Sequence, residues 1–359
     1  MVPSASDPLA ADAVVIGAGP VGLFQVFELG LQDIRAHVID TLPHVGGQPV
    51  QLYPDKPIYD IPGLPVCTGQ ALADALARQC APFAPRFHLG QTVVALEHQP
   101  DDRFLLETSA GTRLLAKTVF IAAGVGAFEP RRLKVDGLAS FESTQLFHHI
   151  SQAGPLHDRH VLIVGDDDQA IGFALELADR QQERPRSVTL MHRRDSFRAD
   201  AARVSRLRER CRQGDMQFVA GQLADISTRE GRLVEARIAL SEGGTLTLPL
   251  DTLLVLQGLS PRLGPLTDWG LAMERKLLVV DTEKFETSVP GIFAVGDINT
   301  YPGKGKLLVC GFHECTLAAF AAASIVHPDR PVQLQYTTSS THLHALLGLP
   351  DASEIPADQ

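Results

Sequence analysis

Residues 13–40 read Ala13-Val14-Val15-Ile16, then Gly17-Ala18-Gly19-Pro20-Val21-Gly22, then an apolar stretch with helical spacing, then Ala36-His37-Val38-Ile39-Asp40. A buried strand, a glycine turn, a helix and a second strand ending in an acid make the βαβ unit that cradles a dinucleotide. Gly17 permits the tight turn, Gly19 lets backbone approach a pyrophosphate, and Gly22 lets the helix lie close to the strand. Pro20 starts the helix without losing a needed donor. The free amides of that first turn and the helix dipole then face the anion. Asp40, eighteen residues beyond Gly22, is placed to accept a ribose 2′-hydroxyl and repels a 2′-phosphate, so the site suits FAD or NAD.

A second unit repeats the plan with different chemistry. His160 to Val164 is a strand, Gly165-Asp166-Asp167-Asp168-Gln169-Ala170 the turn, Ile171 to Arg180 a helix and Ser187 to Met191 the next strand. That strand ends in His192-Arg193-Arg194, with Arg198 one helical turn beyond. Guanidinium groups bind phosphate oxygens through paired donors, so this end suits a 2′-phosphate. Comparing the two units assigns the first to FAD and the second to NADP, with Gly165, Ala170, Arg193, Arg194 and Arg198 as NADP contacts. The second turn departs from G-x-G-x-x-A, because Asp167 stands where backbone must meet pyrophosphate. A carboxylate about 5 Å from one phosphate charge costs ~3 kcal/mol at an effective dielectric of about 20. Asp166 adds to that repulsion, so a working and a decayed NADPH site both stay open.

The strand-then-glycine endings Val119 to Gly124 and Thr252 to Gly258 bracket the second unit. They mark two chain crossings, and the expected fold is α/β: two Rossmann-like dinucleotide-binding domains, the second inserted in the first. The expected domains are 1–124 with 258–335 for FAD, 125–257 for NADP, and a C-terminal extension over 336–359. Gln217 to Leu250 reads as a strand meander. Between the units, Gly46-Gly47-Gln48 allows close approach to a ligand, and Tyr53, in a proline-rich loop, is able to stack on a flat one. Ile292 to Asp297 is another strand delivering an acid beside a glycine. The Ala-rich helix Gly311 to Val326 offers its N-terminus to the anionic edge of a reduced flavin.

The chain has 359 residues, enough for two or three domains. Its 42 acidic against 32 basic side chains give a net charge of −10, which argues against nucleic acid as the main partner. Met1 to Asp12 carries no basic residue and no long apolar run, so no secretory signal is read there. No uninterrupted apolar segment of membrane-spanning length is read either, and the expected location is cytoplasmic. Five cysteines without a C-x-x-C fit reduced thiols. Cys310-Gly311-Phe312-His313-Glu314-Cys315 has zinc-type donors but no second ligand pair, so no metal is expected. The run Arg198 to Arg212, with Arg203, Arg206, Arg208 and Arg210 between, is a basic helix, either a solvated face or a docking patch for an acidic protein.

Together these landmarks resemble the thioredoxin-reductase-like ferredoxin/flavodoxin-NADP reductases over about residues 12 to 349. The motifs that carry the resemblance are Gly17 to Gly22, Gly46-Gly47-Gln48, Tyr53-Pro54, Ile121 to Gly124 with Gly126-Ala127-Phe128, His192-Arg193-Arg194-Asp195, Gly296-Asp297 with Thr300 to Lys304, and Tyr336 to Thr341. The resemblance implies FAD contacts at Asp40, Gln48, Tyr53, Val93, Phe128, Asp297 and Thr338. Tyr53 would stack on one isoalloxazine face and Tyr336, from the C-terminal extension, on the other. A homodimer is implied as well. In thioredoxin reductase a C-x-x-C follows the first crossing, whereas Ser140 to His149 here has no cysteine, so disulfide reduction is not expected. Asp166 and Asp167 replace glycines of the family pattern, and His313 and Cys315 alter the pattern at the last helix.

The leading reading is therefore a reductase in which NADPH delivers hydride to flavin N5 and electrons leave singly for ferredoxin or flavodoxin, with no acid or base side chain needed at the core step. The alternative is a flavin-binding redox sensor or interaction protein whose nicotinamide site has decayed through Asp166 and Asp167.

Overall fold

The computed structural model describes residues 7–330 and 336–349, with the backbone but not the side chain of Phe128. The α-helices among them are α1 (Pro20–Leu31), α2 (Gly47–Leu52), α3 (Gly69–Cys80), α4 (Asp168–Asp179), α5 (Ala201–Gln213), α6 (Leu308–Val326) and α7 (Thr341–Leu346). The chain divides into two compact units, one of residues 1–127 with 261–359, the other of residues 128–260. Strands Ala127–Pro130 and Leu259–Arg262, which carry the two crossings, pair with each other.

The first unit is built on a seven-stranded sheet. Leu9–Ile16 lies between Ala36–Asp40 and Arg113–Ile121, all parallel, with Val15 level with Val38 and Phe120. Arg86–Leu89 extends the parallel set at one edge, and Ile292–Ala294 joins Arg113–Ile121 in parallel. Phe104–Thr108 and Val93–His98 complete the sheet as an antiparallel meander. Because helices cover the parallel strands, these run as unbroken apolar stretches. Val14, Val15, Val38, Ile39, Val119, Phe120 and Ile121 are all buried, with Leu23, Val26 and Leu29 of α1 in the same core. The helix α2 was not expected from a proline- and glycine-rich stretch. It forms because Gly46, at φ 109°, turns the chain into a left-handed cap just before it.

Helix α6 corrects one expectation. It starts at Leu308, three residues before Gly311, since Leu308, Val309 and Cys310 continue the helical pattern. By length and composition it would also span a bilayer, but His313 and Glu314 interrupt its apolar run. Here it is a core helix: Cys315, Ala318, Ala319 and Ala322 are buried in the unit's core, and α6 packs on α1.

The second unit has its own seven-stranded sheet, in the order Leu146–Phe147, Thr252–Val255, His160–Val164, Ser187–His192, Gln217–Arg229, Arg232–Leu240, Thr245–Pro249. The first five are parallel and the last two close an antiparallel meander. Apolar residues of α4, among them Ile171, Phe173 and Ala174, pack with Ile163 and Leu190 of the strands.

Candidate functional site

In the first unit the turn between Leu9–Ile16 and α1 spends the Gly17 amide on the Ile39 carbonyl and the Ala18 amide on Asp40, and leaves the first-turn amides of α1 open. A Cβ on Gly22 would stand 1.9 Å from the Gly17 carbonyl oxygen, so only glycine lets α1 begin this close to the turn. The residue before α1 is Gly19, and no side chain caps the helix. Its first-turn N–H groups are therefore donors without a side-chain partner, aimed where a pyrophosphate binds. Asp40 ends the neighbouring strand and is buried. Its carboxylate accepts from the Ala18 amide at 2.6 Å and the Leu42 amide at 2.8 Å, which locks it against the turn. Burial raises its pKa above the ordinary aspartate value, and the two amides pull it back. Thr41 also bonds the carboxylate, and one of its four lone-pair positions stays for a ribose hydroxyl.

Two further segments meet this turn. The Gly46 amide donates to the Ala18 carbonyl at 2.8 Å, which ties the loop carrying Gln48 to it. Tyr53 closes α2 and is half-buried, with the Lys56 ammonium 5.5 Å from its ring centroid. From the other side comes the turn Gly296–Ile298, directly after strand Ile292–Ala294. A Cβ on Gly311 would lie 2.6 Å from Val21 Cγ2 and 3.3 Å from Gly296 Cα, so the start of α6 packs against both the start of α1 and the turn that carries Asp297. No side chain caps α6 either. Asp297 is half-buried, and its carboxylate has no hydrogen-bond partner among the described side chains. Val93 is buried in strand Val93–His98.

What holds the Asp297 turn was not read from the sequence. Glu314, fully buried in α6, accepts from the Gly296 amide at 2.7 Å, the Asn299 side-chain amide at 2.8 Å and the Tyr301 hydroxyl at 2.9 Å. The Lys304 ammonium pairs with the same carboxylate and donates to the Gly296 carbonyl at 2.9 Å. Burial and the Glu314 carboxylate push the Tyr301 hydroxyl pKa well up, so it stays a donor. The available signal was a lone acid inside an otherwise apolar helix, preceded by a lysine in a Pro-Gly loop. The same network absorbs the zinc-like motif: Glu314 is spent on Lys304, and the Cys315 thiol faces the Val21 carbonyl at 3.3 Å.

Tyr336 is 71% exposed, and Thr338 is exposed. Helix α7 follows at once and is tied down by His342, whose Nε2 is 3.1 Å from an Asp33 oxygen. Asp33 follows the C-terminal end of α1, so the anchor lies about 18 Å along that helix from the glycine turn. Residues 350–359 of the expected extension, residues 331–335 before it and the Phe128 side chain lie outside the described residues.

The second turn carries the same backbone plan with its donors engaged. Asp167 is the N-cap of α4 and accepts from the Ala170 amide at 3.0 Å, so a side chain of the protein takes a donor that α1 leaves open. Asp166 is buried and accepts both Nε and Nη2 of Arg198 at 2.8 Å. That pair holds the Asp166 carboxyl below the ordinary aspartate range and raises the guanidinium pKa. Asp168 receives the Asp200 amide at 3.1 Å and an ion pair from Arg203 at 3.4 Å. Arg193 and Arg194 are exposed, with no ion pair among the described residues. Of the expected arginines, these two keep their donors free, and Arg198 does not.

The basic helix is compensated. Along α5, Arg203 pairs with Asp168, Arg206 with Asp179, Arg208 with Asp195, Arg210 with Asp179 and Asp215, and Arg212 with Glu209. Charges this close cancel at a distance, so the run does not present the strongly positive face the sequence suggests.

The donor sets can now be matched to ligands. An uncapped helix start, a buried aspartate locked at the strand end and a second unpaired carboxylate fit an FAD with free ribose and ribityl hydroxyls. Two exposed arginines after the second unit's strand fit a 2′-phosphate, while Asp167 competes for the pyrophosphate position. A family model described as pyridine nucleotide-disulphide oxidoreductase matches residues 11–315. A protein named ferredoxin–NADP reductase from Polaromonas naphthalenivorans is 55% identical over 342 residues, covering 95% of this chain and 93% of the relative. Ferredoxin–NADP reductase 2 of Cupriavidus taiwanensis is 54% identical over 347 residues, covering 97% and 93%. Among solved structures, Lactococcus lactis thioredoxin reductase in the FR conformation aligns over 88% of this chain and 99% of its own, with a TM-score of 0.54 at 22% identity, a likeness of fold.

Proposed function

Because this chain belongs to the pyridine nucleotide-disulphide oxidoreductase family, we propose that it is an FAD-dependent ferredoxin–NADP reductase, with FAD on the first unit and NADPH on the second. The observation that carries the reading is the pair of strand ends, a locked Asp40 after one glycine turn and free Arg193 and Arg194 after the other. The first refuses a 2′-phosphate and the second attracts one. Bound FAD supplies acceptance of a hydride from NADPH and release of electrons one at a time. The chain's own residues bind and orient. The start of α1 holds pyrophosphate, Asp40 and Asp297 take hydroxyls, Gln48 and Val93 line the site, and Tyr53 lies against one ring face. Glu314 and Lys304 keep the Asp297 turn in place.

The sensor alternative is not favoured, since the similar curated proteins are named as reductases over nearly their whole length. The partner class is ferredoxin or flavodoxin, and the internal pairing of α5 gives no reason to dock it there. A cytoplasmic location suits the five free cysteines. We also propose a homodimer, in which the exposed Tyr336 and Thr338, just before a helix that His342 ties to Asp33, serve the flavin of a second chain. Light scattering giving a monomer mass would remove the dimer. Truncation after Gln335 that left flavin fluorescence unchanged would remove the role of the tail. For the reaction itself, the yellow protein is mixed anaerobically with NADPH and then with oxidised ferredoxin. Bleaching of the flavin by NADPH and recovery with ferredoxin are expected; no bleaching at saturating NADPH contradicts the reading.

A further inference from the structure

The engagement of Arg198 changes what the second turn recognises. Its guanidinium gives its side-on fork, Nε and Nη2, to Asp166 at 2.8 Å for each bond. Its backbone amide also donates to the Asp166 carbonyl at 2.7 Å, and Asp167 and Arg198 form a β-bridge. The Asp166 side chain is 12% exposed, and His192 Nε2 stands 3.7 Å from the same carboxylate. A carboxylate this enclosed beside a phosphate site is tolerable only with a counter-charge in contact. The side-on fork is also the edge that grips a phosphate in bidentate fashion. Arg198 does not offer that edge to Asp166 and to a ligand at once.

Resting on the NADPH reading above, we infer that Asp166 and Arg198 are a built-in counter-ion pair: Arg193 and Arg194 alone recognise the 2′-phosphate, and Arg198 is a positioning residue that cancels Asp166. Removing Arg198 then does not remove a ligand contact. It uncovers a buried negative charge at the turn, which weakens any phosphate-bearing nucleotide, with or without a 2′-phosphate. Neutralising Asp166 in the same chain restores what was lost.

The test is calorimetric titration of the FAD-loaded protein with 2′,5′-ADP and with 5′-AMP, whose affinity ratio reports the 2′-phosphate. Arg198→Ala is expected to weaken both probes by about tenfold with the ratio kept, and Asp166→Asn with Arg198→Ala to return both to within about twofold of the starting protein. Arg193→Ala with Arg194→Ala is expected to lower the ratio by about tenfold or more and leave 5′-AMP unchanged. Chemical denaturation, whose transition includes the mutated unit, checks that each variant is folded. If Arg198→Ala lowers only the ratio, and Asp166→Asn does not rescue it, Arg198 is a phosphate ligand and the inference is overturned while the NADPH reading stands. If the starting protein binds both probes equally, the NADPH reading fails and this inference falls with it.

Discussion

The starts of α1 and α4 occupy the same place in the same βαβ plan and differ in what meets their amides. Before α1 stands Gly19, with no side-chain cap; before α4 stands Asp167, whose carboxylate already holds the Ala170 amide. An anion arriving at α1 finds open donors and a favourable dipole. One arriving at α4 must displace or accommodate a charge of its own sign. The difference matches the roles proposed for the two ligands. A resident flavin calls for a site with nothing to displace, whereas a nucleotide that must bind and leave in every turnover is served by a site with an internal competitor.

The widest gap between the two turns should appear on adding one methyl group to each. Gly22→Ala places a Cβ 1.9 Å from a backbone oxygen and Gly165→Ala places one 2.4 Å from the Leu256 carbonyl oxygen. Purified Gly22→Ala is expected to carry no FAD. Gly165→Ala is expected to stay yellow and lose nucleotide binding. Equal flavin content in the two variants would mean that the first turn does not hold the flavin.

Next in size is the ion pair under the first site, whose two side chains are both buried, whereas Arg198 of the pair at the second turn is exposed. Glu314→Ala strands the buried Lys304 ammonium and should cost about 3–5 kcal/mol, read by chemical denaturation of the holoprotein. Glu314→Leu combined with Lys304→Met is expected to cost much less. If the single and double variants are equally unstable, the pair is not what keeps the Asp297 turn in place.

A third contrast lies along the helices themselves. Helix α4 buries only apolar side chains, whereas α1 buries Gln25 and Glu28. Burial pushes the Glu28 carboxyl from 4.5 to about 7, with a hydrogen bond from Thr316 pulling partly back. Between those values the folded chain holds a proton that the unfolded chain has lost. Stability therefore falls as pH rises through that window, by about 3 kcal/mol in all. Glu28→Gln should remove that slope, so denaturation midpoints at about pH 5 and about pH 8 draw together. An unchanged pH dependence would place the slope on another group.

Much of this was legible in the sequence, because its signals are local. Apolar runs, glycine turns and the residues that end each strand follow one another within a single βαβ unit, so both Rossmann-like units and the places of Asp40 and Arg193-Arg194 at their strand ends were readable. What escaped depends on partners far apart in the chain. Asp166 was counted as a repulsive charge because nothing in the spacing tells that Arg198, 32 residues on, would neutralise it. The arginines of α5 looked like a basic face because Asp168, Asp179 and Asp195, which pair with four of them, belong to other segments. The anchoring of His342 to Asp33 is equally invisible in a linear reading, and so is the Glu314 network.

The contrast between an open and a self-capped turn is tested most directly at Asp167. Glycine is itself an acceptable N-cap, so Asp167→Gly should cost only a few tenths of a kcal/mol in stability. It removes a carboxylate whose repulsion of a phosphate about 5 Å away lies between ~0.8 kcal/mol at the dielectric of water and ~3 kcal/mol at an effective dielectric of about 20. The measurement is the dissociation constant of NADPH for the FAD-loaded protein, before and after Asp167→Gly, at matched flavin content. The account predicts binding about tenfold tighter in the variant. Unchanged or weaker binding would contradict it, because Asp167 would then not be competing for the place of the pyrophosphate.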